Sequence, residues 1–444
     1  MSRGLRLVTT HDFFGSFATV PTSYGALPGG DALRAAVNEL RRGRSSLWLD
    51  SGDLFQGGAL TVPTMGKGGL KAAAELGIDL SVIGNHDLDF GVEFLRREAT
   101  DLGFPLLSAN AEIGFPATAI LPISNADVGI IGLTHHNLSS MSSWTVRPER
   151  HMPGPEVTIS FDVRASAEEL RKSGASIVVC VCHDGVDWHY QNGRYLANPG
   201  GFFQRCATWH KAVDLIVAGH TLGRFFGYLG NTPVVQPWPL GSEIAVVDVE
   251  LSKGRPVINT WSHFVQPNGQ QWSGVGSEII KEAEGRILGE LPEGLASRSH
   301  EPGPLVTLLA RAVQAVSGGA DISFAYTTCG QPILDGVFSW LGKGPVAWLQ
   351  ILQVVPYTDF RIVETDVTRR ELEILWTLTL PRLQDRTTAW GASGTIGGGD
   401  TFRIATLSGA ATDLFSRILN RTLHWRETGA TFEAGLQAVL RRRI

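Results

Sequence analysis

Short apolar runs alternate with amphipathic stretches through the first part of the chain, which predicts a layered α/β domain. Residues 5–9, 46–49, 80–83, 128–133, 177–182 and 215–217 read as strands. Between them, Leu33, Val37 and Leu40 mark one face of a helix that starts at Gly30-Asp31 and stops near Gly43. Residues 71–76, 92–102 and 164–173 read as further helices. A turn at Gln266-Pro267-Asn268-Gly269 and a break at Leu291-Pro292-Glu293-Gly294 bracket a predicted helix over 277–288. We therefore divide the chain into residues 1–265, a linker helix in 266–299, and a second, smaller α/β unit over 300–444. That second unit opens on a helix with Leu305, Leu308, Leu309 and Val313, followed by strands near 322–325 and 359–364. The glycine-rich stretch 390–400 lacks the Lys-Ser/Thr ending of a phosphate-binding loop and reads as a flexible loop.

Polar residues with metal-ligand chemistry fall just past strand ends: Asp12, Asp53, Asn85 with His86, His183 and His220. Ligands bind at such edges of α/β sheets, because the connecting loops share one crevice there. Carboxylate, amide and imidazole donors suit a divalent ion such as Mn²⁺, Zn²⁺ or Fe²⁺. A single His or Asp at a strand end is ordinarily a cap or a satisfied core residue; the order and contexts of all five blocks make the case.

Those blocks carry a resemblance. Thr10-His11-Asp12-Phe13-Phe14-Gly15, Asp50-Ser51-Gly52-Asp53, Gly84-Asn85-His86-Asp87-Leu88-Asp89, Val181-Cys182-His183 and Ala218-Gly219-His220-Thr221 resemble, in order, the motifs of two-domain metallophosphoesterases of the 5′-nucleotidase family. In the second unit, Ala320-Asp321-Ile322-Ser323, Gly344-Pro345-Val346 and Thr368-Arg369-Arg370-Glu371-Leu372 keep the order of that family's substrate-binding domain. The resemblance implies a four-layer α/β/β/α domain followed by the smaller substrate-binding domain. It implies a two-metal centre bridged by Asp53, with His86 at the leaving oxygen and Asp89 holding His86.

The pattern also breaks. The second metal position is complete in Asp53, Asn85, His183 and His220. The first keeps Asp12 and Asp53, but Phe14 and Leu222 stand where the family has metal-binding side chains. The expected cofactor is thus one tightly held divalent metal, with a second, weak site. His11 is expected to point away from Asp12, as neighbours on a strand do; His135 and His136 are spare candidates. The segment 326–331 has no Arg where relatives carry one for the nucleotide. Phe324, Tyr326, Tyr357 and Phe402 are candidates to stack on a substrate ring, although core packing is the favoured reading of such rings.

Of the 444 residues, 43% are hydrophobic and 18% charged, enough for a sizeable core. A net charge of −5 offers no basic footprint, so no nucleic-acid polymer is expected as a partner. Cys180, Cys182, Cys206 and Cys329 read as free thiols. The N-terminus shows no apolar leader and no stretch is long enough to span a bilayer, so a cytoplasmic location without membrane partners is the expectation. The expected activity is metal-dependent hydrolysis of a small-molecule phosphate ester, nucleotide-like or otherwise. The alternatives are altered chemistry on the same scaffold in a specialised pathway, or an inactive metal-binding homologue.

Overall fold

The strand Ile177–Cys182 shows how the first part of the chain is layered. Its six residues are all buried. Alternate side chains point to opposite faces of a strand. Ile177, Val179 and Val181 pack in one core, and Val178, Cys180 and Cys182 in another. A strand buried on both faces needs a layer on each side. One side meets a second sheet and the other meets helices.

The computed structural model describes residues 4–124, 126–138, 161–251, 255–298, 300–329, 335–356, 358, 360–380 and 388–441, with the backbone alone at 410. One six-stranded sheet runs in the order Val257–Phe264, Glu243–Glu250, Gly4–Thr10, Ser46–Asp50, Leu80–Val82, Leu106–Leu107. The other runs Phe225–Leu229, Thr232–Gln236, Leu215–Val217, Ile177–Cys182, Ala126–Leu133, Thr118–Ile123. The four strands from Gly4–Thr10 to Leu106–Leu107 are mutually parallel. So are the four from Thr232–Gln236 to Ala126–Leu133. Leu7, Leu49 and Val82 of the first sheet share a core with Val128, Val179 and Val217 of the second. Helices Gly29–Arg41, Lys67–Leu76 and Val92–Leu102 cover the outer face of the first sheet. Helices Val163–Lys172 and Gly200–Cys206 cover that of the second. This is the expected four-layer α/β/β/α arrangement.

A third sheet follows, ordered Thr388–Gly394, Ile322–Thr328, Thr401–Leu407, Arg361–Thr368, Arg426–Thr431. Helix Gly303–Val316 packs on it through Leu305, Leu309 and Val313. Two expectations change here. The predicted helix over 277–288 ends earlier, as Ser277–Gly285, and Ile287–Leu291 is a strand paired with Gly344–Ala347. Only residues 390–394 of the glycine-rich stretch depart from the loop expectation, because Thr388–Gly394 pairs along its length with Ile322–Thr328; residues 395–400 carry no strand. A Cβ on Gly391 would sit 2.4 Å from the Val306 carbonyl oxygen, so its glycine permits close approach of the helix. The two halves touch where Asp335 accepts hydrogen bonds from Tyr24 at its backbone oxygen (2.8 Å) and from Tyr195 at its carboxylate (2.7 Å). All four cysteines are free and buried. Among the described residues no helix is long and apolar enough to cross a membrane.

Candidate metal centre

Five loops leave the C-terminal ends of parallel strands and meet at one rim. They follow Thr10, Asp50, Val82, Cys182 and Val217. Three of them turn so sharply that ordinary residues are forced into the left-handed region: Asp12 (φ 46°), Phe14 (φ 48°), Asp53 (φ 54°) and His220 (φ 66°). Such backbone is costly for a side chain with a Cβ, and its clustering at one rim marks a functional site.

Four side chains converge there. Asn85 Oδ1 lies 3.1 Å from His183 Nε2 and 2.9 Å from His220 Nδ1. The two imidazole nitrogens are 3.3 Å apart, and His183 Nε2 is 3.1 Å from Asp53 Oδ2. Donors bound at about 2.0–2.2 Å around one cation stand roughly 2.8–3.6 Å apart in octahedral or tetrahedral geometry. The spacings observed fall inside that range, so this donor set fits a divalent ion. His183 Nδ1 donates to the Ser51 carbonyl at 2.6 Å, which turns Nε2 toward the site; burial would lower the ring, but the Asp53 carboxylate lifts it to about 10, so a cation would displace the Nε2 proton on binding. Burial alone would raise Asp53, yet the imidazoles of His183 and His86 hold its carboxyl well below the usual range. Burial, then the neighbouring imidazoles of His135 and His183, hold His220 well below the ordinary histidine value, in the neutral form that ligates metals.

Two carboxylates that sequence reasoning passed over hold the loops in place. Asp87 Oδ2 accepts from the backbone N–H of Asp53 (3.0 Å) and Gly84 (2.8 Å), and its Oδ1 from Leu54 (3.0 Å). It therefore ties the second loop to the third. Burial and the nearby Asp53 charge push it up to about 7. Asp50 accepts from Thr10 Oγ1 (2.7 Å), Gly52 N (2.9 Å) and Ser81 Oγ (3.0 Å), and burial pushes it up to about 6. The signal available was their place inside the two acidic motifs.

His86 Nδ1 lies 3.0 Å from Asp89 Oδ2, and its backbone N–H donates to Asp53 Oδ1 at 2.7 Å. Burial would lower the ring, but the Asp89 carboxylate, with Asp53 behind it, outweighs this and lifts His86 to about 9. The ring keeps 14% exposure, beside Phe14 at 5.7 Å between centroids.

The first metal position differs. Asp12 Oδ2 accepts from the His220 backbone N–H at 2.6 Å and faces His11 Nδ1 at 2.5 Å. The strand ends at Thr10 and Asp12 is left-handed, so His11 turns toward Asp12 rather than away, contrary to the strand-based expectation. His11 Nε2 is 2.5 Å from the Pro237 carbonyl oxygen. Asp12 Oδ1 is buried without a hydrogen-bond partner among the described residues. Phe14 and Leu222 pack with Leu27, Leu240, Val337 and Phe338 in an apolar cluster. Neither side chain carries an electron pair for a metal.

Three of the four aromatic candidates are core residues, so core packing holds for them and their role as substrate-stacking rings is corrected. Phe324, Tyr326 and Phe402 are at most 3% exposed and share a cluster with Trp390 and Phe415. Tyr326 donates its hydroxyl proton to the Pro356 carbonyl at 2.7 Å. Inward alternation on two adjacent strands buries these rings against helices. Tyr357 and the segment 330–331 lie outside the described residues. The His135 ring lies tilted against those of His220 and His136, with centroids 4.0 Å and 4.3 Å away.

Residues 28–224 match the family model of the calcineurin-like phosphoesterases. The chain is 32% identical over 220 residues to a snake venom 5′-nucleotidase from Gloydius brevicauda, covering 46% of this chain and 33% of that protein. It is 23% identical over 348 residues to Endonuclease YhcR of Bacillus subtilis (strain 168), covering 71% of this chain and 27% of that protein. The chain thus spans well under half the length of these curated relatives. A 5′-nucleotidase precursor from Thermus thermophilus has the same fold, with a TM-score of 0.72 at 17% identity over 98% of this chain and 96% of its own.

Proposed function

We propose that this chain, a divergent relative of the 5′-nucleotidases with a calcineurin-like phosphoesterase domain, is a hydrolase of small phosphate esters that works with one principal divalent cation. The observation that carries this reading is the convergence of Asp53, Asn85 and His220 on His183, each with a donor atom 3.1–3.3 Å from His183 Nε2, and of Asn85 with His220 at 2.9 Å. When bound, the cation would lower the pKa of a coordinated water and neutralise charge on the phosphoryl oxygens. The protein's own residues supply the rest. Asp53 uses one carboxylate oxygen toward the cation cluster and the other to hold the His86 backbone. With Nδ1 engaged by Asp89, His86 exchanges its proton with a leaving oxygen through Nε2. Phe14 beside the ring limits water on that side.

The single-cation character is supported by the apolar cluster of Phe14 and Leu222 and by the engagement of Asp12 Oδ2 with His11 and the His220 backbone. The orphaned Asp12 Oδ1 leaves room for a weak second ion. The substrate is a small ester, nucleotide-like or otherwise, and a net charge of −5 argues against a nucleic-acid polymer.

The test is phosphate release from a panel of nucleotides and sugar phosphates with Mn²⁺ or Zn²⁺ supplied, on wild type and His86→Ala. The variant is expected to lose turnover by at least about a hundredfold while its metal content stays the same. Equal turnover would overturn the role of His86. Metal bound by the wild type with no release from any ester would favour the inactive metal-binding homologue.

A further inference from the structure

On the far side of His220 lies a second group of donors that the proposed reaction does not use. His135, His136 and Asp184 each offer one ligand atom, and these atoms lie within 4.8 Å of one another. We propose that they form a separate binding site for a borderline divalent cation, such as Zn²⁺, Mn²⁺ or Fe²⁺, next to the cluster of Asp53, Asn85, His183 and His220.

The carboxylate is built for it. Asp184 Oδ1 accepts from Arg205 Nη2 at 2.6 Å and from the Gly185 backbone N–H at 2.9 Å. Its Oδ2 accepts from Arg205 Nε at 2.7 Å and faces His136 Nδ1 at 3.2 Å. A carboxylate oxygen has two lone-pair directions. Arg205 takes one of those on Oδ2, and the other is directed at His136. Arg205 thus fixes the carboxylate as an outer hydrogen-bonding partner fixes a ligand. The 3.2 Å edge between His136 Nδ1 and Asp184 Oδ2 subtends roughly 100° at an ion bound at about 2.1 Å to both. The third donor is buried: His135 is 4% exposed. The Asn137 amide N–H donates to His135 Nδ1 at 3.1 Å, so a cation bound at that nitrogen would replace one main-chain hydrogen bond.

Two imidazoles and one carboxylate leave at least one position open, as in metal sites that take a water or an anionic ligand. His136 and Asp184 also line, with Arg205, the polar side of a mostly apolar cavity of about 340 Å³ that is walled elsewhere by Phe161, Phe202 and Trp209. A cation here would present its open position to an anionic group in that cavity. The inference does not depend on the proposed hydrolysis, because it concerns different ligands.

The test is elemental analysis of protein stripped with a chelator, reloaded with Zn²⁺ and freed of excess ion. His136→Ala and His136→Gln are the informative variants, since the His136 side chain is 48% exposed and its replacement leaves the fold intact. Wild type is expected to hold one more ion per chain than either variant. His220→Ala is expected to keep the ion that the His136 variants lose. An ion lost from the His136 variants alone would support this site even if the Asp53–His220 cluster proved empty. Equal zinc in wild type and both His136 variants would overturn the proposal and leave the first cluster untouched.

Discussion

Gly84→Ala isolates the contact on which the centre depends. Gly84 has no left-handed backbone requirement, so alanine meets no conformational penalty there. A Cβ at this position would lie 2.2 Å from Asp53 Oδ1 and 2.3 Å from the Asp53 backbone nitrogen. Normal contact begins near 3.4 Å, so the two loops must part by about 1 Å. Overpacking of that kind costs about 1–3 kcal/mol. Moving Asp53 also weakens the 2.7 Å bond from the His86 amide to Oδ1, a bond to a charged group worth about 1.5–3 kcal/mol. The sum is a loss of about 2.5–6 kcal/mol. Calorimetry on metal-free protein should therefore show a melting transition lowered by roughly 3–6 °C. Metal affinity, measured by competition with a chelating dye, should fall at least about tenfold as the carboxylate is displaced. Gly397→Ala, where a Cβ meets nothing within 4 Å, is the control. If Gly84→Ala matched that control in both melting and affinity, the claim that these loops meet backbone to carboxylate would be wrong.

Asp87→Asn places an NH₂ where one oxygen now accepts a backbone proton; a loss of about 1–3 kcal/mol in denaturant unfolding is expected, and a neutral result would remove Asp87 as the tie between the loops. Phe14→His combined with Leu222→Gln places electron-pair donors beside Asp12, and elemental analysis should show more metal per chain than the parent holds; no gain would mean that the apolar cluster is not what limits the first position. Glu371 is held down at about 2 by its hydrogen bond to Arg421 and by the backbone and side chain of Thr368, so its stabilising contribution is full above about pH 5 and is lost as pH falls through about 4 toward 2. Because this pair lies near the surface, Glu371→Gln should cost only about 1 kcal/mol at pH 7, and the gap should narrow in melting curves taken toward about pH 3; a gap that widened in acid would reverse the assignment.

The layered domain was legible because its strands are short, apolar on both faces and separated by amphipathic helices. The residues that converge, Asp53, Asn85, His183 and His220, were legible because each follows such a strand. Alternation failed at His11, where the strand stops at Thr10 and the next turn is left-handed. No periodicity anticipates such a turn at a non-glycine residue. The glycine-rich run misled for a related reason: Gly391 is there for a helix packed on its strand, a tertiary contact that composition does not reveal. The aromatic candidates were ambiguous in sequence, since a ring that stacks on a ligand and one that fills a core look alike until burial is known.

Anomalous diffraction from crystals grown with Mn²⁺ tests the four-residue centre most directly. A peak is predicted within bonding distance of Asp53 Oδ2, Asn85 Oδ1, His183 Nε2 and His220 Nδ1 together. No peak there, or a dominant one between Asp12 and Phe14 instead, would contradict it.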